Sequence, residues 1–116
     1  MRQSSRFERH ESLRERTNVA ERMIAFLRQR YPVKTADNVA VDLGCSAETV
    51  AKMIERVATP NAVTFGRMIL AYGPAFLVAV YPKAPAWLDE AHRRERQEAL
   101  RAEQRRIQEQ LEALGA

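Results

Sequence analysis

The stretch ADNVAVDLGCSAETVAKM, residues 36–53, decides how this chain folds. Val39, Ala40 and Leu43 recur at the spacing of one helix face. Thr35 stands where a helix cap belongs, and Asp37 falls in the first turn, where the positive end of the helix dipole favours an acid. Gly44 ends that helix, because glycine enters the left-handed conformation without a Cβ penalty. Ser46 caps the next one, which runs to about Val57 with Val50, Met53, Ile54 and Val57 in a single apolar stripe. A small residue, Ala40, lets the two helices cross closely, and Leu43, Val50 and Met53 fill the wedge between them.

Outward from this pair the same signals recur. Ser5 with Glu8 has the capping-box spacing, so residues 1–17 read as a basic arm or short helix with only Phe7 and Leu13 to bury. Asn18 with Glu21 repeats the spacing. Val19, Ala20, Met23, Ile24, Phe26, Leu27 and Tyr31 then follow an amphipathic rhythm that Pro32 stops. Beyond the central pair, Thr59-Pro60-Asn61 breaks the chain and Asn61 caps a helix from Ala62 to Tyr72. Gly73 closes that helix, and Pro74 opens an almost wholly apolar one through Tyr81 that should close the core. Residues 82–85, Pro-Lys-Ala-Pro, form a stiff hinge and a boundary. The remaining segment, 86–116, has neither glycine nor proline between Trp87 and Leu114 and reads as one long helix. Trp87 should anchor it on a neighbour. Leu100, Ile107, Leu111 and Leu114 share one side of it, with Gln104 in the intervening heptad position. That strip suits a dimer seam; the alternative is that the helix end docks on its own domain.

Composition excludes several classes of function. The lone Cys45 closes no intrachain disulfide, and with His10 and His92 far apart in sequence it reaches no zinc-ligand spacing, so no metal and a reducing compartment are expected. Cys45 should pack rather than sense redox state, and both histidines should lie at the surface. The longest apolar run, Met68 to Tyr81, is broken by Gly73-Pro74 and falls short of the roughly 20 residues that span a bilayer. With no signal peptide evident, a soluble cytoplasmic protein without membrane partners is expected. No glycine-rich phosphate loop occurs and the carboxylates are scattered among arginines as on a solvated helix face, so the chain is not expected to be an enzyme or to need a cofactor. Charge is uneven: residues 1–17 carry +2, residues 18–83 carry +3 and residues 84–116 carry −1. A basic globular part beside a balanced tail suits a polyanion.

Residues 36–53 have the spacing of a helix-turn-helix, and with one amphipathic helix before them and two after the Pro60-Asn61 break, the span 18–81 resembles the XRE, or lambda repressor-like, helix-turn-helix family. Ala40, Gly44, Ser46, Thr49 and Val50 match its alternation of small, turn, cap and apolar residues, and Pro60-Asn61 with Phe65 looks like its lead into the fourth helix. The resemblance implies an all-α protein, a five-helix domain that binds duplex DNA through helix 46–57, carried here between a basic arm and a long C-terminal helix. The family's equivalents of Ser46 and Thr49 often meet the DNA backbone. The sequence departs from the pattern at the start of the second helix, where Ala36 and Asp37 replace the usual polar donor.

The candidate DNA-facing residues are Lys34, Ser46, Ala47, Glu48, Thr49, Ala51, Lys52, Glu55 and Arg56, with Arg2, Arg6 and Arg9 as a DNA arm or, alternatively, a solvated helix face. Lys34 is placed to meet phosphate ahead of its helix. Glu48 and Lys52 stand four apart in the favourable order, so they form a surface pair or read cytosine and guanine edges. Two functions from different classes follow. One is a transcriptional regulator binding DNA as a homodimer, associated with the nucleoid. The other is a protein-binding module, an antiactivator or adaptor, that keeps the fold without specific DNA contacts.

Overall fold

Six α-helices make up the computed structural model, which describes residues 2–115, with side chains from residue 9 onward, and contains no strand among them. They are α1 (Arg2–Arg30), α2 (Thr35–Leu43), α3 (Ala47–Arg56), α4 (Ala62–Tyr72), α5 (Pro74–Val80) and α6 (Ala86–Gly115). Helix α5 lies at the centre of the packing and touches α1, α4 and α6, while α2 bridges α3, α4 and α1.

The expected break between residues 17 and 18 is absent. Helix α1 runs straight through it, because no glycine or proline intervenes and the Thr17 hydroxyl donates to the Leu13 carbonyl, 3.0 Å away, one turn back. Asn18 is therefore an interior helix residue and caps nothing. The apolar rhythm does sort the helix as expected: Ala20, Met23, Ile24 and Leu27 are buried and Val19, Phe26 and Tyr31 pack at the margin.

The α2–α3 connection follows its sequence signals closely. Gly44 takes φ 67°, and the amides of Gly44 and Cys45 return to the Val41 and Ala40 carbonyls. Ser46 is extended, and its Oγ accepts from the Thr49 amide at 3.2 Å, which fixes where α3 begins. Val39, Ala40, Leu43, Val50 and Met53 are buried, and Cys45 packs beside them as expected. At the other end of α2 the residues depart from expectation. Thr35 is the first helical residue instead of the cap, and its hydroxyl donates to the Tyr31 carbonyl. The cap position falls to Lys34, a left-handed residue with φ 54°, whose carbonyl accepts from both the amide and the side chain of Asn38. Val57 also leaves the apolar stripe: it ends α3 in the left-handed region at φ 49° and is 42% exposed.

Asn61 caps α4 as expected, its Oδ1 accepting from the Thr64 amide at 2.8 Å. Gly73 sits at φ 68° and ψ −154°, a conformation open to glycine and almost nothing else, so α4 can end and α5 start within one residue at Pro74. That corner drives Phe76 into the middle of the molecule. It is fully buried, with its ring 5.4 Å from Phe26, 5.5 Å from Phe65 and 6.2 Å from Tyr72, centroid to centroid. Burial of a phenylalanine at such a site contributes about 1.5–3 kcal/mol, and each well-placed ring pair adds roughly 0.5–1.5 kcal/mol.

The hinge at 82–85 does not set α6 apart. The Pro85 carbonyl receives the Leu88 and Asp89 amides, and the helix it starts folds onto α5 with Leu88 only 4% exposed. Leu88 is the anchor in place of Trp87, which is 68% exposed, because the first turn of α6 aims the leucine inward and its neighbour outward. His92, expected at the surface, is half-buried with its Nδ1 turned inward and no hydrogen-bond partner among the described residues. From Arg93 onward nearly every residue is exposed, so the end of the helix does not dock on its own domain, and the molecule extends to 75 Å in its longest dimension.

A β-branched residue in the left-handed region costs roughly 1–2 kcal/mol. Val57→Gly should therefore hold or raise the stability seen in urea unfolding, by up to about 1 kcal/mol after the extra chain entropy of glycine is counted. A loss of 1 kcal/mol or more would mean that the valine side chain contributes more through packing than its backbone costs.

Candidate nucleic-acid interface

The outer face of α3 is open along its length: Glu48, Thr49, Ala51, Lys52, Glu55 and Arg56 are all exposed, and Ala47 is half-buried at the first turn. At its start the hydroxyls of Ser46 and Thr49 lie 2.7 Å apart. One proton bridges the two oxygens, so the pair keeps one hydroxyl free to donate outward beside the first turn of α3. Lys52 Nζ lies 3.0 Å from Glu48 Oε1, with both side chains more than half exposed. That is the i, i+4 surface pair the sequence allowed, contributing about 0.3–0.5 kcal/mol and cancelling one charge on the face.

Positive charge collects to one side. Lys52 and Arg56 border a cleft of about 300 Å³ between α3 and the start of α4, whose other wall carries Asn61 and Thr64. The lining contains no acid, and the first amides of α4 add to its positive character. Lys52 and Arg56 are legible in the sequence as outer residues of α3, whereas the α4 wall is not. The capping pattern of Asn61 located that helix start, whereas its position opposite Arg56 depends on tertiary packing. Arg16 of α1 lines an adjoining groove beside Thr59 and Pro60, together with the acid Glu15, so one arginine of the N-terminal segment comes beside the α3–α4 connection without adding net charge there. Arg9 is exposed, and the side chains of Arg2 and Arg6 lie outside the described residues. Lys34 is exposed in its left-handed turn.

Other basic residues of the domain serve the fold. The Arg22 Nη1 donates to the Val80 carbonyl at the end of α5, 3.4 Å away. Arg30 lies over the Tyr72 ring, 4.9 Å from its centroid, and 5.7 Å from that of Tyr31. Both tyrosine hydroxyls donate to one carboxylate oxygen, Asp42 Oδ2, at 2.7 Å from Tyr31 and 2.9 Å from Tyr72. This clasp joins the end of α1, the solvent edge of α2 and the end of α4. Nothing in the local pattern pointed to it, since Asp42 reads as an exposed helix residue. Burial of Tyr72, then its hydrogen bond to the Asp42 carboxylate and that carboxylate's charge, push the phenol well above its usual range.

On the C-terminal helix Leu100, Ile107, Leu111 and Leu114 are 58%, 50%, 63% and 85% exposed, an apolar strip that no part of the described chain covers. No helix among the described residues is long and apolar enough to cross a membrane, and no cluster of potential metal ligands occurs among them. Compared with family models, with curated proteins and with solved structures, the chain matches none.

The tyrosine clasp carries a pH signature. Tyr72 is held protonated in the folded state, so its contribution to stability is complete below about pH 10, the ordinary tyrosine value, and is lost as pH rises from there towards the folded pKa. Tyr72→Phe should cost about 1 kcal/mol near neutral pH and should flatten the alkaline fall in urea stability relative to the wild type. Equal alkaline slopes in the two proteins would remove Tyr72 as the source.

Proposed function

We propose that this protein is a non-catalytic DNA-binding regulator of the XRE helix-turn-helix type, in which α2 supports α3 and α3 enters the major groove of duplex DNA. The observation that carries the reading is the Ser46-capped, fully open outer face of α3 beside an acid-free cleft holding Lys52 and Arg56. In this pose the free hydroxyl of the Ser46–Thr49 pair and the start of α4 approach phosphates. Lys52 faces base edges once Glu48 yields it, and Arg56 has no ion-pair partner among the described residues to leave. A single domain reads few base pairs, so two copies held by their C-terminal helices would occupy half-sites about one helical turn apart. Taking Leu100, Ile107, Leu111 and Leu114 out of water supplies about 1.5–3 kcal/mol for each fully buried side chain.

A second reading draws on the Glu48–Lys52 pair and on Glu55, which leave the middle of α3 without net positive charge. On that reading the fold is a protein-binding module, an antiactivator or adaptor, and the C-terminal helix is its working surface.

Fluorescence anisotropy with random duplexes separates the two. Binding that is measurable at ~50 mM salt and falls steeply with added salt is the expected result, and no binding at that salt would favour the protein-binding module. Among bound sequences, Lys52→Ala should alter preference, whereas Lys34→Ala should weaken all of them about equally. Matching, sequence-independent losses from both would take α3 out of the reading role.

Because Leu88 belongs to the core, the informative truncation leaves the first turns of α6 in place. A chain ending at Arg96 should stay folded by circular dichroism and sediment as a monomer at tens of micromolar, where the full chain sediments as a dimer. A full-length monomer, or a dimer that survives the cut, would assign the strip to another purpose.

A further inference from the structure

The exposed strip of α6 has a polarity pattern that bears on the direction of pairing. Leu100, Ile107 and Leu114 recur every seven residues and occupy d positions; Leu111 then falls at an a position, as do Gln104 and Gln97. All six residues are exposed on a helix that leaves the body of the molecule after its first turns. Apolar d layers thus alternate with two polar a layers and one apolar a layer.

The two directions of pairing treat the glutamines differently. A parallel, in-register pair stacks a on a and d on d, so Gln97 and Gln104 each meet the same residue of the second copy, and each amide can donate to and accept from the other. An antiparallel pair sets a against d. Every d residue from 100 onward is leucine or isoleucine, so Gln104 would be buried against a hydrocarbon side chain with its amide unpaired. Charge opposes this preference weakly: parallel pairing brings Arg96, at a g position, towards Arg101, at an e position, on the second copy. Both arginines are exposed, so solvent and salt screen that repulsion, whereas a buried amide without a partner bears its full desolvation cost.

We infer that α6 pairs with α6 of a second copy in parallel and in register, with Gln97 on Gln97 and Gln104 on Gln104, so that both helical domains stand at the same end of the pair. The inference rests on the dimeric reading above and adds direction and register to it. It also suits that reading's geometry. A parallel seam over residues 97–114, roughly 27 Å of helix, leaves the two domains side by side, whereas an antiparallel one carries them to opposite ends of the seam.

Cysteine reporters in a Cys45→Ala background decide the direction. Gln97→Cys and Leu114→Cys are made singly, one with a size tag, and oxidised in air, alone and mixed, with sedimentation run on the reduced proteins. The expected result is a dimer in sedimentation, with each variant alone forming a disulfide-linked dimer and the mixture giving few links between position 97 and position 114. Links mainly between 97 and 114 would overturn the parallel direction and leave the dimer standing. A dimer with no cross-links at all would place the interface elsewhere and overturn the inference, and a monomer in sedimentation would overturn the dimeric reading with it. Gln104→Leu supplies the second test: the dimer should tighten at least tenfold and the mixed 97–114 link should rise, because the polar layer no longer selects the direction. An unchanged link pattern would show that Gln104 does not set it.

Discussion

Phe76 holds the molecule together. Its ring sits where α1, α4 and α5 converge, in edge and tilted contacts with Phe26, Phe65 and Tyr72. It reaches that place because Gly73 and Pro74 turn the chain from one helix into the next within one residue. A seven-residue helix has little stability of its own, since helices that short do not offset their nucleation cost in water. Helix α5 therefore exists through its burial, and α6 depends on α5 in turn through Leu88.

The face proposed for DNA is positioned from the same centre, one layer removed. Helix α2 packs on α1 and α4 and carries α3 outward. The Asp42 clasp secures that relation at the edge, with Tyr31 just past α1 and Tyr72 of α4 sharing one carboxylate oxygen. Two arginines that count towards the basic excess are engaged inside this framework, Arg22 on the Val80 carbonyl and Arg30 on the tyrosine rings. The cleft beside α3 is electrostatically distinct because its lining holds Arg56, without an ion-pair partner among the described residues, and Lys52, shared with Glu48 outside it, even though the helix as a whole is balanced. Net charge by itself is thus a poor guide to where positive charge lies on this protein; the distribution after packing is the relevant quantity.

The two ends of the chain differ in how they leave this body. Helix α1 is exposed from Arg9 to Asn18 and buries only the stripe from Ala20 to Leu27. Helix α6 is anchored at its beginning and free beyond, with an apolar strip exposed over its last two heptads. The same core thus supports a packed helical body and a projecting helix, the arrangement the proposed dimer uses.

The sequence alone determined the helices of the middle of the chain, because their boundaries rest on local chemistry: the left-handed turn at Gly44, the caps at Ser46 and Asn61, and the Gly73-Pro74 corner act through neighbouring backbone groups. Candidate residues on α3 were legible for the same reason, since a helix of known start and inner stripe has a known outer face. Local signals misled where several competed. Asn18 has a capping-box spacing, yet nothing there opposes continuation of the helix, and Thr35 lost the cap to Lys34 because its hydroxyl found the Tyr31 carbonyl. Only the tertiary structure decided the Asp42 clasp, the inward turn of Leu88 in place of Trp87, and the meeting of Arg56 with the start of α4. Each joins side chains on different elements of the fold, and no period or spacing along a sequence encodes which of them come to share a carboxylate, a core position or a cleft.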